Sequence, residues 1–426
     1  MSIYPRVLHT GFHPIGAPTN SGLTLASMFG AWPEDRLMQV CLREHPTWEH
    51  IGDVHIAPRS IAPAEAAARA ALGRYRPTGA VDGLNASISR KGRQLGAGAR
   101  LRIAAATINE VSPVRLPSST IEIVNRFRPD VIHSLLGGLR AMKVALAFSK
   151  KFDLPIVPHF MDDWPATIYS DNQLRGLARR QAVGLLSDVL ERSPVLLTIG
   201  EDMAEEYETR YGVPAVVVGN SSRAFATNHP KTKARDPLPE LVYAGGLHLD
   251  RDRVISVVAR AIDQWNSEGR SLRIRLYVPP ADHQRARRLE SEYRCVDLGG
   301  SLAPNEVLPT LATSFAGLFI ESSDPSIARF TRLSVSTKVP QYLASQRPSL
   351  VIGPSDQGSV RALTKSGHAV YGGSGDSSTD LAAALNSLWT MASGTTHFEL
   401  PDIFTVESTQ RRLQAALVRA SDSRND

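Results

Sequence analysis

The sequence predicts an α/β protein of two doubly wound halves, and three observations carry that expectation. Short apolar runs alternate with amphipathic helical patterns through most of the chain, the signature of a largely parallel sheet covered on both faces. A polar stretch from Ser221 to Pro239, rich in Lys, Arg and Pro and without apolar periodicity, interrupts the alternation. The same pattern then restarts at Leu241. The boundaries expected are 1–220 for the first domain, 221–240 for a linker, 241–403 for the second domain, and 404–426 for a last helix and polar tail. At 426 residues, two domains of about 200 residues are the default expectation. Two such halves leave a cleft between them, where ligands usually bind.

Each element has its own justification. Pro5-Arg6-Val7-Leu8-His9 reads as the first strand, and a loop of Gly and Pro leads to a helix start across Gly22–Phe29. Leu37–Leu42 is the next apolar run. Residues 60–100 carry a long Ala/Arg pattern, mostly helical, that breaks the alternation. Ile121–Phe127 is helical, Asp130–His133 extended, Gly138–Phe152 helical with Leu139, Met142, Val144, Ala145 and Phe148 on one face, and Pro155–His159 extended. Two short apolar runs at 196–200 and 215–220 flank the charged helix Glu201–Tyr211. In the second half come the runs at 241–246, 272–278, 316–320 and 349–352, with helices at Asp252–Asn266, Thr379–Met391 and Ser408–Ala420.

Composition narrows the function. A 42% hydrophobic content can fill two cores, and the net charge of +6 is a modest basic excess that suits phosphorylated partners or plain solubility. No basic run interleaves with aromatics, which argues against nucleic acid as a partner. Cys41 and Cys295 lie too far apart in sequence to suggest a disulfide framework or zinc ribbon, and reduced thiols point to the cytoplasm. The first residues lack an apolar signal core, and no uncharged apolar stretch is long enough to span a bilayer. The segment Leu174–Arg192 sets Arg175, Arg179, Arg180 and Arg192 among Leu177, Ala178, Val183, Leu185 and Leu186. That pattern serves either a solvated helix face or peripheral contact with an acidic membrane surface on its inner face.

Four constellations could carry chemistry. The most informative is Ser336-Thr337-Lys338-Val339-Pro340-Gln341-Tyr342, where a turn bearing two hydroxyls and an ammonium enters a helix, a setting suited to a diphosphate. Gly245-Gly246-Leu247-His248-Leu249-Asp250-Arg251 follows a strand, and Arg251 adds a permanent cation with a fork of donors. Together Lys338 and Arg251 could neutralise a departing diphosphate. The loop Gly11–Leu25 follows the first strand and places Ser21 and Gly22 at a helix start; it either approaches a ligand or merely turns the chain. His133 ends a strand, where it either meets a ligand hydroxyl or satisfies nearby backbone. Asp162 and Asp163 follow the strand after it, and either carboxylate could enter the site or cap the loop. No metal site or cofactor motif stands out, and the twelve histidines are scattered.

On these residues the chain resembles the glycosyltransferases of family four, also called group one. The likeness runs from Ser21-Gly22-Leu23-Thr24-Leu25 through Asp130–His133 and Leu241–Leu247 to Ser336–Ala344. It implies the GT-B fold: two Rossmann-like domains facing a central cleft, with the last helix crossing back to the first domain. It implies retaining transfer of a sugar from a nucleotide-sugar donor, UDP- or GDP-linked, to a saccharide, glycolipid or other hydroxyl acceptor, usually without metal. The donor would lie in the second domain, against Gly246, Ser336, Thr337, Lys338 and Arg251, and the acceptor in the first, with His133 beside the sugar. The chain departs from the family at set positions. Gly246 stands where a basic residue is usual, Arg251 where relatives carry lysine, Gln341 at the glutamate that bonds the ribose, and Leu333 at the glutamate that contacts the transferred sugar. Glu321 is the nearby carboxylate able to substitute. Those departures keep two other readings open: a noncatalytic nucleotide-sugar-binding protein, and an epimerase of the same architecture.

Overall fold

The computed structural model describes residues 4–17, 19–42, 51–56, 107, 110–169, 176–223, 238–375, 381–394 and 398–424. The Ala/Arg pattern at 60–100 and most of the expected linker therefore lie outside the described residues. The chain divides into two compact units, Met1–Gly219 with Glu407–Asp426, and Asn220–Val406.

Unit 1 is built on a seven-stranded sheet. Its elements run β1 (Val7–Gly11), α1 (Asn20–Phe29), β2 (Leu37–Cys41), β3 (Asp53–Ile56), α2 (Ser118–Phe127), β4 (Val131–Leu135), α3 (Leu139–Phe152), β5 (Ile156–Phe160), α4 (Trp164–Thr167), α5 (Gly176–Leu190), β6 (Leu196–Thr198), α6 (Glu201–Tyr211) and β7 (Ala215–Val217). All pairings are parallel, in the order β3-β2-β1-β4-β5-β6-β7. The strands β1, β2 and β5 are buried along their whole length, as a sheet covered on both faces requires. Thr19 caps α1 by accepting from the Gly22 N–H at 3.1 Å.

Unit 2 repeats the design with six parallel strands. Its elements are β8 (Glu240–Ala244), α7 (Arg251–Asn266), β9 (Arg273–Tyr277), α8 (His283–Glu292), β10 (Val296–Gly300), α9 (Pro304–Thr313), β11 (Ala316–Ile320), α10 (Pro325–Thr331), α11 (Val339–Ala344), β12 (Ser349–Ile352), α12 (Gly358–Lys365), β13 (Ala369–Tyr371) and α13 (Leu381–Ser393). The strand order is β10-β9-β8-β11-β12-β13. Leu241 and Tyr243 of β8 pack with Val254, Ile255, Val258 and Ile262 of α7 in one core. In each sheet the order reverses once, at β1/β4 and at β8/β11. The carboxyl ends of strands at such a reversal are where open α/β sheets bind ligands.

The last helix, α14 (Val406–Asp422), belongs to unit 1 although it follows unit 2 in the chain. Its Leu413, Ala416, Leu417 and Ala420 join Leu25, Met28, Phe29 and Trp32 in the unit 1 core. The Gln410 side-chain amide donates to the Ser27 carbonyl at 2.9 Å. Among the described residues no helix is long and apolar enough to cross a membrane.

Candidate functional site

The reversal point of unit 2 gathers the charged residues expected from sequence. Strand β8 ends at Ala244, and the turn that follows needs glycine for a steric reason. A Cβ on Gly245 would lie 1.7 Å from Lys338 Nζ and 2.6 Å from its Cε, so the missing side chain is the space the lysine occupies. The ammonium sits 5.2 Å above the Tyr243 ring centroid, within cation–π range. The Tyr243 hydroxyl donates to the Gly246 carbonyl at 2.7 Å and so fixes the turn. A Cβ on Gly246 would strike His248 Nδ1 at 2.4 Å. The Leu247 N–H donates to Asp282 Oδ2 at 2.9 Å, which anchors the far side of the loop.

Arg251 opens α7 from a strained entry. Leu249 and Asp250 both hold φ of +61°, a left-handed conformation that costs non-glycine residues about 1–2 kcal/mol each. Arg251 is buried, and its Nη2 donates to Glu321 Oε2 at 3.1 Å. Burial works against the guanidinium charge, Glu321 outweighs it, and the pKa rises above its ordinary value. Its Nε has no hydrogen-bond partner among the described residues. The carboxylate at the end of β11 is thus already engaged by the first cation. Lys338 has no carboxylate at ion-pair distance among the described residues. Burial, then Arg251, pushes its ammonium down to about 7, with Glu321 opposing.

The turn before α11 contributes less backbone than expected. The Ser336 N–H donates to Ser359 Oγ at 3.0 Å, the Val339 N–H to the Ser336 carbonyl, and Pro340 has none. The Lys338 N–H reaches only Ser336 Oγ, at 3.4 Å, so the side chains carry most of the anion-binding capacity of this turn. Thr337 is exposed, and the half-buried Gln341 side chain makes no hydrogen bond within the described residues. Leu333 is buried in the protein interior, at 1% exposure. The run Asp250-Arg251-Asp252 has the spacing of an Asp-x-Asp pair, a pattern easily overlooked beside the glycine turn. Asp250 accepts from Arg253 Nε at 2.6 Å instead, and no group of acidic, histidine or cysteine side chains among the described residues could hold a metal ion.

Unit 1 treats its candidates differently. His133 lies opposite His9 in the β1/β4 register and is fully buried. His9 Nδ1 is 2.8 Å from His133 Nδ1, His133 Nε2 is 3.3 Å from His159 Nδ1, and His159 Nε2 is 2.9 Å from the Val218 carbonyl. A carbonyl only accepts, so His159 carries its proton on Nε2, His133 donates from Nε2, and His9 donates from Nδ1. Burial dominates the titration of all three: His9 falls to about 3, His159 to about 4, and His133 well below its ordinary value. The imidazole expected to reach a ligand has both nitrogens taken up inside the sheet.

Asp163 and Asp162 divide their tasks. Asp163 is buried, with Oδ1 accepting from the Tyr207 hydroxyl at 3.0 Å and Arg210 Nη1 at 2.9 Å. The half-buried Asp162 accepts from the Trp164 N–H at 3.1 Å, and burial lifts its carboxyl to about 6 while that N–H opposes. Ser21 is half-buried in the first turn of α1. Gly22 is there for packing, since a Cβ would meet the Ala17 carbonyl oxygen at 2.3 Å. Gly245 and His248 belong to the expected glycine turn but had no role of their own in it, and nothing in the sequence assigned a role to Tyr243 or Asp282. Asp282 sits behind two prolines with no motif to mark it. The histidine chain had a signal: β1, β4 and β5 each carry one histidine, and neighbouring strands in register bring them together.

Two parallel-sheet units in this strand order define the GT-B fold. No protein-family model and no curated protein sequence matches the chain. Solved structures do. The chain is similar to sucrose-phosphate synthase from Thermosynechococcus elongatus, at TM-score 0.54 and 10% identity, over 98% of this chain and 97% of that one. It is similar to a UDP-forming α,α-trehalose-phosphate synthase from Burkholderia vietnamiensis, at TM-score 0.53 and 11% identity, over 99% and 94%. A putative UDP-N-acetylglucosamine 2-epimerase from Listeria monocytogenes matches at TM-score 0.54 and 11% identity, over 99% and 98%.

Proposed function

We propose that this chain is a retaining glycosyltransferase of family four that uses a nucleotide-sugar donor, UDP- or GDP-linked, and needs no metal. The observation that carries the reading is the placement of Arg251 and Lys338 together at the β8/β11 reversal of unit 2, with one carboxylate between two cations. A diphosphate leaving group brings the negative charge that this cluster lacks. As the bond to the anomeric carbon breaks, charge grows on the leaving phosphate oxygens, and the two cations stabilise it without reorganising. Thr337 and Ser336 offer hydroxyls to the same phosphates, and Gln341 offers its amide to the ribose. Unit 1 takes the acceptor, a hydroxyl of a saccharide or glycolipid, which attacks from the face the diphosphate leaves. His133 acts there through His9 and His159, as a rigid floor beneath the loops at the β1/β4 reversal. The UDP-forming relative supports a UDP donor.

Peripheral association with the inner membrane face of a cytoplasmic enzyme is part of the same reading. It is supported by α5, which leaves Leu177 66% and Val183 56% exposed beside the exposed Arg180. A second reading is favoured by Leu333, buried where the family places a sugar-contacting carboxylate: a nucleotide-sugar-binding protein without turnover. Donor hydrolysis and transfer measured over a panel of UDP- and GDP-sugars separates the two. Turnover on any of them supports the transferase; tight binding with no turnover supports the binding protein; no binding removes both.

A further inference from the structure

The cluster at the end of β8 has an unbalanced charge count. Arg251 and Lys338 are two cations, and Glu321, the carboxylate between them, is bonded to the first. Strand β8 contributes Tyr243, whose ring lies under the amine; α7 contributes Arg251; the end of β11 contributes Glu321; and the glycine turn contributes His248. Further out, Asp282 is held by the Leu247 N–H, and Arg285 lies beside it at 3.9 Å. None of these supplies a second anion to the lysine. Gly245 presses the amine into the turn, away from full hydration. Lys338 is half-buried, and a partly desolvated cation with a like charge beside it and no anion of its own relaxes most cheaply by losing a proton.

Resting on the proposed function, we propose that at pH 8 Lys338 is largely neutral in the empty site and takes up one proton from solvent when a nucleoside diphosphate binds. The Nζ lone pair accepts the proton, a buffer acid supplies it, and the ligand's negative charge then holds the ammonium in place. The low pKa of this amine agrees with that assignment. The sign follows directly. The ligand selects the protonated amine, so affinity is flat below the free-state pKa of about 7 and falls as pH rises above it, by up to about tenfold per pH unit. Each round of binding and release would thus move a proton onto and off the protein.

Calorimetric titration with UDP tests this at pH 8, where the nucleotide's own phosphates are already ionised. Run in HEPES and in Tris, the two observed enthalpies differ by the protons exchanged times the difference in buffer ionisation enthalpy. The expected uptake is close to one proton per UDP bound. Lys338→Arg, which cannot titrate, is expected to bind UDP with no uptake, and Lys338→Gln provides the same readout if the arginine does not fit. His248→Gln is expected to keep the uptake. Binding by the native chain without proton uptake overturns the inference and leaves the proposed function standing. Uptake that persists in the Lys338 variants, or vanishes with His248→Gln, also overturns it. No binding of UDP or GDP removes the proposed function, and this inference with it.

Discussion

In the proposed transferase, Lys338 is the residue on which most of the chemistry depends. Replacing it with Ala is expected to cost on the order of 2–4 kcal/mol in kcat/KM, as loss of a preorganised charge donor does elsewhere. Gly245→Ala makes a sharper test of the geometry. The new Cβ would occupy the amine's position, and the lysine, being flexible, would swing out. Nucleoside diphosphate affinity of the folded protein should fall about tenfold or more, as expected for a lost charge-assisted contact, and the melting temperature should fall too, because the φ of +155° at this position strains any Cβ. The histidine chain predicts how stability depends on pH. His9, His133 and His159 have folded-state pKa values below the unfolded value, so the unfolded chain binds more protons between about pH 6.5 and 4. Their stabilisation is complete above about 6.5 and declines as pH drops, by roughly 1.4 kcal/mol per unit for each histidine. Asp162, lifted to about 6, works in the opposite direction as pH falls below 6, but it is one group against three. Urea midpoints measured from pH 7.5 to 4.5 should therefore decrease, and a flat profile would contradict the burial of this chain. Lys338 and Arg251 were legible in the sequence because a glycine turn after a strand and a polar turn before a helix are local patterns. The Glu321 pairing was not, because it joins Arg251 to a side chain 70 positions away.

At the scale of elements, what sequence reveals depends on how apolar an element is. Strands β1, β4, β5, β8 and β11 stand out as buried runs. Strands β3, β10 and β13 do not: Asp53-Val54-His55-Ile56, Val296-Asp297-Leu298-Gly299-Gly300 and Ala369-Val370-Tyr371 are short or polar, and they lie at or next to the sheet edges where burial is partial. Helix α11 is a different case. Its presence was legible, but the commitment of its backbone donors to Ser359 and Ser336 was not. The expected role of α14 in unit 1 can be measured directly. Leu417→Ala removes a fully buried side chain from the core it shares with α1 and should destabilise by about 2–5 kcal/mol. Hydrogen exchange should quicken in α1 and remain unchanged in α7; equal quickening in both would argue against α14 as a part of unit 1.

The whole molecule shows a fold that was readable from the order of its apolar runs. The polar break after Ser221 and the restarted alternation pointed to two halves, because a linker's composition is independent of what the halves bind. Identity of about 10% to its structural neighbours leaves no shared sequence to specify donor or acceptor. If side-chain cations do the neutralising, sugar transfer should proceed at the same rate in excess EDTA, measured as nucleotide release; abolition restored by a divalent ion would reverse that assignment. Helix α14 carries one more consequence. Unit 2 is a single unbroken stretch, whereas unit 1 takes its closing helix from residues that leave the ribosome only after all of unit 2 has been made. The half synthesised first is thus completed last, and its apolar seam along α1 stays without its cover throughout translation, a window in which a chaperone or a premature stop would decide the fate of the chain.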